Sequence, residues 1–231
     1  MKRIAAGLLL YFAFLIATLP ASFLDRILDH YSGGVLRLSN AEGTLWHGSG
    51  TLGISGKISG NYSWKIAVPE IFLGRLHMKF DSGMELVFRP GSIEIRHASF
   101  DLPASALSLL GKQIRAIGPG GLIHIRTKEF TLSGKSSGEI SAQWENATST
   151  ISRVNPLGTY DLTIRGSGDK IGLSLGTAEG PLMLAGNGTW SERNGLKFSG
   201  TGQSNNQGIA ELLRMAAPPL GGGRYALRIP P

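Results

Sequence analysis

Two short glycine-containing motifs in this sequence match patterns that are found in nucleotide-binding and hydrolytic sites. Residues 48–53 read Gly-Ser-Gly-Thr-Leu-Gly and match a dinucleotide-binding pattern. That pattern needs a helix directly after it, whereas strand-like alternation continues here. Residues 134–138 read Gly-Lys-Ser-Ser-Gly, as in a nucleophile elbow, but they lie between two short predicted strands and no His follows them. We therefore predict neither a dinucleotide site nor a hydrolytic site.

The other residue types that carry chemistry are few and scattered. The sequence has no Cys, which excludes disulfides, thiolate metal ligands and a cysteine nucleophile. Carboxylates show no paired arrangement along the chain. The five histidines lack metal-ligand spacing, and most are predicted to face solvent: His30, His47, His77, His97 and His124. We expect no catalytic residue, no metal and no cofactor, and predict that the protein is not an enzyme.

The charge of the chain is dispersed. Its 23 basic and 16 acidic residues give a net charge of +7, and the basic residues form no run and no pattern with aromatic residues. Nucleic-acid binding normally needs a clustered basic face, so we predict no nucleic-acid partner. A mildly basic domain near an anionic membrane is compatible with this charge.

Any functional site in this chain must be positioned by β-strands, because the alternating pattern of residues 46–88 predicts strands. Of the 22 even-numbered positions from Trp46 to Phe88, 20 are apolar or Gly, whereas most odd positions are polar or charged. Period two is typical of strands with one buried and one solvated face, and a run this long must fold back several times. A three-residue loop Ser55-Gly56-Lys57 would pair Ile54 with Ile58 and keep the parity. The candidate apolar face includes Trp64, Phe72, Met78 and Phe88.

A second set of strands follows a turn at residues 89–92. Beyond alternating residues at 93–102, we predict strands over 122–126, 129–133, 138–146, 160–165, 170–176, 181–190 and 196–202. Their spacing of roughly ten residues, without helices long enough for parallel crossovers, favours an all-β antiparallel protein. One helix is predicted over Gly208–Ala216, with Ile209, Leu212, Leu213 and Met215 on one side. The predicted architecture is a meander-like curved sheet or an open sandwich.

The N-terminus has the pattern of a membrane anchor. Ile4–Leu24 contains 21 residues without a charge, and Lys2 and Arg3 precede it. As a helix this run spans about 31 Å, enough to cross a bilayer core, with the basic end in the cytoplasm. The alternative is a cleaved signal peptide, although Leu19 stands where a small residue is preferred. Pro20 is expected to end the regular helix early.

These features predict three regions and one internal echo. Residues 1–24 are expected to form the cytoplasmic tip and transmembrane anchor, 25–40 a juxtamembrane segment, and 41–231 an exported β domain. Asp25–Tyr31 is predicted to be a short amphipathic helix at the membrane surface, ended by Gly33-Gly34. The segment 41–45, Ala-Glu-Gly-Thr-Leu, is echoed by Ala-Glu-Gly-Pro-Leu at 178–182. A two-part sheet would explain the echo, and chance in a glycine-rich chain explains it nearly as well.

Several motifs along the chain have an order and spacing that are more specific than any one of them. Their residues are Gly43, Thr44, Leu45, Trp46, Gly48, Trp64, Pro156, Leu157, Gly158, Tyr160, Gly180, Pro181 and Leu182. Together these motifs resemble the type II secretion system protein N family (GspN), and the resemblance covers nearly the whole chain.

This resemblance implies a bitopic inner-membrane protein of a Gram-negative bacterium with a periplasmic β domain. It implies other type II secretion inner-membrane components as partners and brings no catalytic residues. Our hypothesis is an accessory component of the apparatus that exports folded proteins across the outer membrane, acting by binding and scaffolding. The family is also similar to AsmA-like periplasmic proteins with long curved sheets, so a lipid-handling sheet with an open apolar face is the alternative. A periplasmic enzyme with a signal peptide is the third hypothesis.

Overall fold

We examined a computed structural model, which describes residues 2–54 and 56–229. The chain divides into two compact units, Met1–Phe88 and Arg89–Pro231, called unit 1 and unit 2 below. In both units the strands are antiparallel and follow one another in the sheet almost in chain order. The prediction of an all-β antiparallel meander is therefore confirmed.

Unit 1 contains three helices and five strands among the described residues. The helices are α1 (Lys2–Ala17), α2 (Ser22–Ser32) and α3 (Val68–Ile71). The strands are β1 (Leu36–Gly43), β2 (His47–Ile54), β3 (Lys57–Ile66), β4 (Leu76–Phe80) and β5 (Glu85–Arg89). Each strand pairs with the next one along the chain, so the sheet order is β1-β2-β3-β4-β5.

The two N-terminal helices end at the proline and glycine signals that the sequence contains. Helix α1 ends at Ala17, three residues before Pro20, since the residues ahead of a proline disfavour helical geometry. Among the described residues, none of the helices combines the length and the apolar character that crossing a bilayer requires. Helix α2 contains the predicted amphipathic segment and ends at Gly33 in the left-handed conformation, with a φ of 61°. Its position at a membrane surface stays a prediction.

The apolar face of the unit 1 sheet is covered by α2. Trp64 and Ile66 of β3 are only 3% and 6% exposed, and they form one cluster with Ala21 and Leu38. Leu24 of α2 packs against this cluster, together with further side chains of α2 and β4. Alternation predicted that this face is buried, and the structure shows that the helix preceding the sheet buries it.

The turn between β2 and β3 differs from the predicted one. Ile54 pairs with Lys57 and Gly53 with Ile58, whereas Ser55 lies outside the described residues. The predicted pairing of Ile54 with Ile58 is therefore wrong. The register shifts directly afterwards, so that Leu52 pairs with Gly60 and even positions oppose even positions again. A β-bulge, not an odd loop, thus preserves the parity that the sequence displays.

Unit 2 contains nine strands among its described residues. They are β6 (Ser92–Pro103), β7 (Pro119–Ser133), β8 (Ser136–Ser149), β9 (Gly158–Gly168), β10 (Lys170–Glu179), β11 (Leu182–Ser191), β12 (Gly195–Ser204), β13 (Pro219–Gly221) and β14 (Arg224–Ile229). They form an open sheet in the order β6-β7-β8-β9-β10-β11-β12-β14-β13. A 3₁₀ helix (Ala104–Leu110), α4 (Lys112–Ile117) and α5 (Gln207–Ala216) connect strands at one end of this sheet.

Long strands in unit 2 change their alternation halfway along. In β6 the apolar residues move from Ile93 and Ile95 to Phe100 and Leu102. His97, between them, has a φ of 50°, a left-handed conformation that reverses which face the following side chains occupy. The neighbouring strand β7 runs unbroken from Pro119 to Ser133, so the two separate strands predicted at 122–126 and 129–133 are one strand with an irregular register.

Candidate functional site

The first family-like motif joins the segment after α1 to the sheet of unit 1. The amide of Leu45 donates a hydrogen bond to the carbonyl of Leu19 at 2.8 Å. The indole Nε1 of Trp46 donates to the carbonyl of Ile16, in α1, at 2.7 Å. The carbonyl of Leu45 in turn accepts a hydrogen bond from the indole of Trp64 at 3.0 Å. We call this arrangement the Leu45 junction; it ties the end of α1 to β3.

Two glycines allow the close backbone contacts of the Leu45 junction. Gly43 has a φ of 83°, which favours glycine. A Cβ added to Gly48 would lie 2.6 Å from a backbone oxygen and 2.8 Å from the ring of Trp64, closer than real contacts allow. Between these glycines, Thr44 forms a β-bridge with Pro20. The motif residues therefore build a tight turn against which the N-terminal segment is hydrogen-bonded.

The two later motifs meet in unit 2 and form a second junction. The amide of Leu182 donates to the carbonyl of Leu157 at 3.0 Å. The hydroxyl of Tyr160 lies 3.1 Å from the carbonyl of Leu157 and 3.0 Å from that of Leu182. A cis peptide bond precedes Pro156, and the carbonyl of Pro181 accepts a hydrogen bond from a serine of β12. We call this arrangement the Leu182 junction.

Close backbone contact again depends on glycine at the Leu182 junction. Gly180 has a φ of 127°, and a Cβ on it would overlap the Cα of Gly158. Tyr160 is 3% exposed, and this burial raises the pKa of its phenol to about 12. The phenol therefore remains a hydrogen-bond donor at physiological pH, and its role here is to hold two chain segments together.

The two junctions share one design. In each, a leucine that follows a positive-φ glycine by two residues donates its amide to an earlier leucine carbonyl. In each, the carbonyl of that leucine accepts a hydrogen bond from an aromatic side chain, Trp64 for Leu45 and Tyr160 for Leu182. The echo between residues 41–45 and 178–182 therefore corresponds to equivalent hydrogen bonding in the two units.

The residues of the candidate apolar face lie in different surroundings. Trp64 is buried, and Met78 packs against the same cluster. Phe88 lies opposite Leu76 in the β4–β5 pair and is 36% exposed. Phe72 lies off the strands, directly after α3, and is 86% exposed. The structure thus brings Trp64 and Met78 together and leaves Phe72 apart from them.

A second apolar face lies in unit 2 and is covered at one end. Cross-strand pairing places Ile123, Trp144 and Tyr160 side by side on β7, β8 and β9. Leu213 of α5 packs over Gly202 of β12. The predicted helix is thus confirmed, with Ile209 and Leu213 buried, but Met215 is 76% exposed, so its prediction on the packed side is wrong.

The other end of this face remains exposed. Trp190 of β11, Leu196 of β12 and Ile229 of β14 are 38%, 37% and 51% exposed. Trp190 pairs directly with Leu196, and Phe198, two residues further along β12, lies opposite Ile229. We call Trp190, Leu196 and Ile229 the open patch. It consists of neighbouring apolar side chains at the hairpin end of the sheet, where no helix of the described part of unit 2 connects the strands.

Two histidines have carboxylate partners that sequence reasoning missed. His77 lies between two glutamates, with Nδ1 3.2 Å from Glu70 Oε1 and Nε2 3.1 Å from Glu85 Oε2. Its side chain is only 12% exposed, so the prediction of a solvated His is wrong here. The hydrogen bond with His77 contributes most to holding the pKa of Glu70 below its usual value. Lys79 contributes most to the lowered pKa of Glu85.

His124 has the same arrangement in unit 2. Its Nδ1 lies 2.7 Å from Asp101 Oδ1 and its Nε2 lies 3.0 Å from Glu145 Oε2. Hydrogen bonds to Glu145 and then to Asp101 raise the pKa of His124. With both ring nitrogens facing carboxylates, the imidazolium can donate a hydrogen bond to each of them, which is why these contacts raise the pKa. The sequence did not reveal this cluster, because Asp101 and Glu145 are each more than 20 positions from His124. Only the register of the strands brings the three residues together.

The motifs that resemble enzyme sequences lie in structural positions. Residues 48–53 belong to β2, and the chain continues from them into the hairpin with β3. Ser136 is buried at the start of β8, and its hydroxyl donates to the carbonyl of Ser133 at 2.9 Å. Within residues 2–54 and 56–229, no three His, Asp or Glu side chains are placed to hold a metal ion.

The described residues thus form an antiparallel sheet with two backbone junctions and an exposed apolar patch. The family model for the type II secretion system (T2SS), protein N, matches residues 35–228. The chain belongs to this family, which is a family of secretion components. No curated protein and no solved structure matches the chain.

Proposed function

We propose that this protein is an accessory inner-membrane component of the type II secretion apparatus, which exports folded proteins across the outer membrane, and that it acts by binding other components. The match to the family over residues 35–228 carries this proposal. In the proposed topology, Lys2 and Arg3 lie in the cytoplasm and both sheets lie in the periplasm. The apolar, uncharged residues of α1 from Ile4 to Ala17 support the anchor, whereas Ala21 and Leu24, at the end of the predicted span, pack into the core of unit 1.

The side chains of α1 also support the anchor. Leu10, Phe12 and Phe14 are 69%, 60% and 64% exposed, which is costly for apolar groups in water and favourable in lipid. The hydrogen bond from Trp46 to Ile16 fixes the last turn of α1 against the sheet. An anchor held in this way would transmit its orientation to unit 1.

The edge of the unit 1 sheet is not available for a partner strand. The amide of Leu38 donates to Asp25 Oδ1 at 2.7 Å, and the amide of Leu36 donates to Ser32 Oγ at 2.8 Å. Because α2 already occupies these edge groups, strand addition at β1 is blocked. We therefore place docking to another secretion component away from the β1 edge, with the open patch of unit 2 as its proposed centre.

A photo-crosslinking residue at Trp190 in full-length protein tests this docking surface. A matched control places the same residue at Thr189, the adjacent position on the opposite face of β11. Crosslinks from position 190 to a type II secretion inner-membrane component, absent from position 189, are expected in intact envelopes. Equal crosslinking from both positions, or no secretion component at either, would contradict the proposal.

A lipid-handling role is the second candidate, and the surroundings of the open patch favour it. Lys197 follows Leu196 on β12, and Arg228 precedes Ile229 on β14. An apolar patch with these two cations next to it in the strands suits a phospholipid, since acyl chains and phosphate would each meet complementary groups. Phosphorus-labelled lipids in the same crosslinking experiment separate the candidates: a labelled lipid adduct at position 190 favours lipid handling, and its absence opposes it.

A further inference from the structure

The connection between β3 and β4 ends in an exposed apolar tip. Ile71, Phe72 and Leu73 are consecutive and are 38%, 86% and 71% exposed. Three neighbouring apolar side chains this exposed form a projecting apolar surface, in contrast to single exposed apolar residues, which are normal. We call these three residues the apolar tip.

Polar contacts hold the base of the apolar tip. Glu70 forms an ion pair with Arg75 at 3.0 Å and contacts His77 of β4 at 3.2 Å. The amides of Leu73 and Arg75 both donate to the backbone carbonyl of Glu70, at 3.0 and 3.1 Å. The tip is therefore presented by a hydrogen-bonded turn, and its exposed side chains take no part in that bonding.

The apolar tip lies at the end of the unit 1 sheet where α1 is attached. Trp46 connects the two features, because its indole donates to Ile16 of α1 and its carbonyl accepts from the amide of Ile66 at 2.7 Å. Ile66 is the last residue of β3, and the tip begins five residues later. The opposite end of the neighbouring strand β4 leads instead to the turn at residues 81–84.

We infer that the apolar tip inserts into the interface of the same bilayer that α1 enters. This inference rests on the proposed anchor, because the membrane surface must lie where α1 meets the sheet. Continuity with α1 places the tip there, because Trp46 hydrogen-bonds both to Ile16 of α1 and to the end of β3 from which the tip projects. Two contacts with one membrane would limit the rotation of unit 1 about its anchor.

Cysteine labelling tests this directly, since the natural sequence contains no Cys. Full-length Phe72→Cys, Ser82→Cys and Leu10→Cys variants would carry an environment-sensitive fluorophore in liposomes of phosphatidylethanolamine and phosphatidylglycerol. Position 82 is the matched control in the turn at the other end of β4. Quenchers attached to lipids are expected to cause a large loss of fluorescence at positions 72 and 10 and little loss at position 82.

The possible results separate the tip from the anchor. If lipid-attached quenchers reduce the fluorescence at position 10 but not at position 72, the inference is overturned and the anchor is left intact. No loss at either position overturns the anchor as well. Protection of position 72 from aqueous iodide only in whole envelopes, and not in liposomes, would assign the tip to a protein partner and also overturn the inference.

Discussion

The indole of Trp64 donates a hydrogen bond to the carbonyl of Leu45 at 3.0 Å. Trp64 is 3% exposed, so this bond is shielded from water and also fixes the turn that receives the end of α1. In unit 2, the hydroxyl of Tyr160 lies 3.0 Å from the carbonyl of Leu182 in the equivalent arrangement. A buried aromatic donor thus secures the same kind of turn in both units.

Replacing Tyr160 with Phe is expected to destabilise unit 2. The change removes a buried hydroxyl that contacts the carbonyls of Leu157 and Leu182, so the hydrogen bond that links the two segments through Tyr160 is lost. The expected loss is about 1–3 kcal/mol in the free energy of unfolding. Urea unfolding of the full chain in detergent measures it, with Tyr31→Phe, at a tyrosine that is 85% exposed, as the control. Equal stability of the two variants would show that the hydroxyl does not support the junction.

Alanine at Gly48 is expected to disrupt the Leu45 junction. The new Cβ would approach a backbone oxygen at 2.6 Å and the ring of Trp64 at 2.8 Å, and neither the sheet backbone nor a buried indole can move freely. We expect a loss of about 1–3 kcal/mol in the free energy of unfolding, as for overpacked cores. Gly176→Ala is the matched strand control, because a Cβ there meets nothing within 4 Å. Urea unfolding with tryptophan fluorescence compares the two, and a similar cost for both would argue against steric crowding at Gly48.

The sequence predicted the sheet far better than it predicted the junctions. Period-two alternation is visible in a single chain because burial of one face imposes it on every strand. The hydrogen bond from Trp64 to Leu45 spans 19 positions, and no local pattern encodes such a contact. Alternation also cannot say what covers a face, and in unit 1 the cover is α2.

The carboxylate partners of the histidines were invisible for a related reason. Asp101, His124 and Glu145 belong to three strands, and their contact depends on register across β6, β7 and β8. Register follows from turns and bulges, and the β2–β3 hairpin shows how a bulge defeats a register inferred from parity alone. The family motifs were recognisable, but their role as junctions emerged only from the hydrogen bonds.

The stability of unit 2 is expected to depend on pH through His124. Hydrogen bonds to Glu145 and Asp101 raise its pKa in the folded protein above the unperturbed value of 6.5. The resulting stabilisation is fully present below pH 6.5 and is lost as the pH rises through the raised pKa of the folded state. NMR titration of the full chain should give a pKa for His124 above 6.5, and Glu145→Gln should lower it. An unchanged pKa in Glu145→Gln would refute the assigned cause.

Removing Asp25 is expected to expose the edge of β1 and promote self-association. Asp25 accepts the amide of Leu38 at 2.7 Å and pairs with Arg37 at 3.2 Å, so Asp25→Ala leaves an edge amide without its acceptor. A hydrogen bond to a charged group contributes about 1.5–3 kcal/mol, and the freed edge is a template for another strand. Asp29→Ala is the control, because the Asp29 side chain forms an exposed ion pair with Arg37 at 3.4 Å, of a type that contributes about 0–1 kcal/mol.

Urea unfolding and light scattering of the full chain in detergent distinguish these outcomes. Asp25→Ala should unfold at lower urea concentration and form larger species with time, whereas Asp29→Ala should behave like the natural protein in both measurements. If the two variants are equally stable and equally dispersed, then α2 does not protect the edge. Strand addition at β1 would then return as a way of docking to a secretion component, and the open patch would lose its priority as the proposed docking surface.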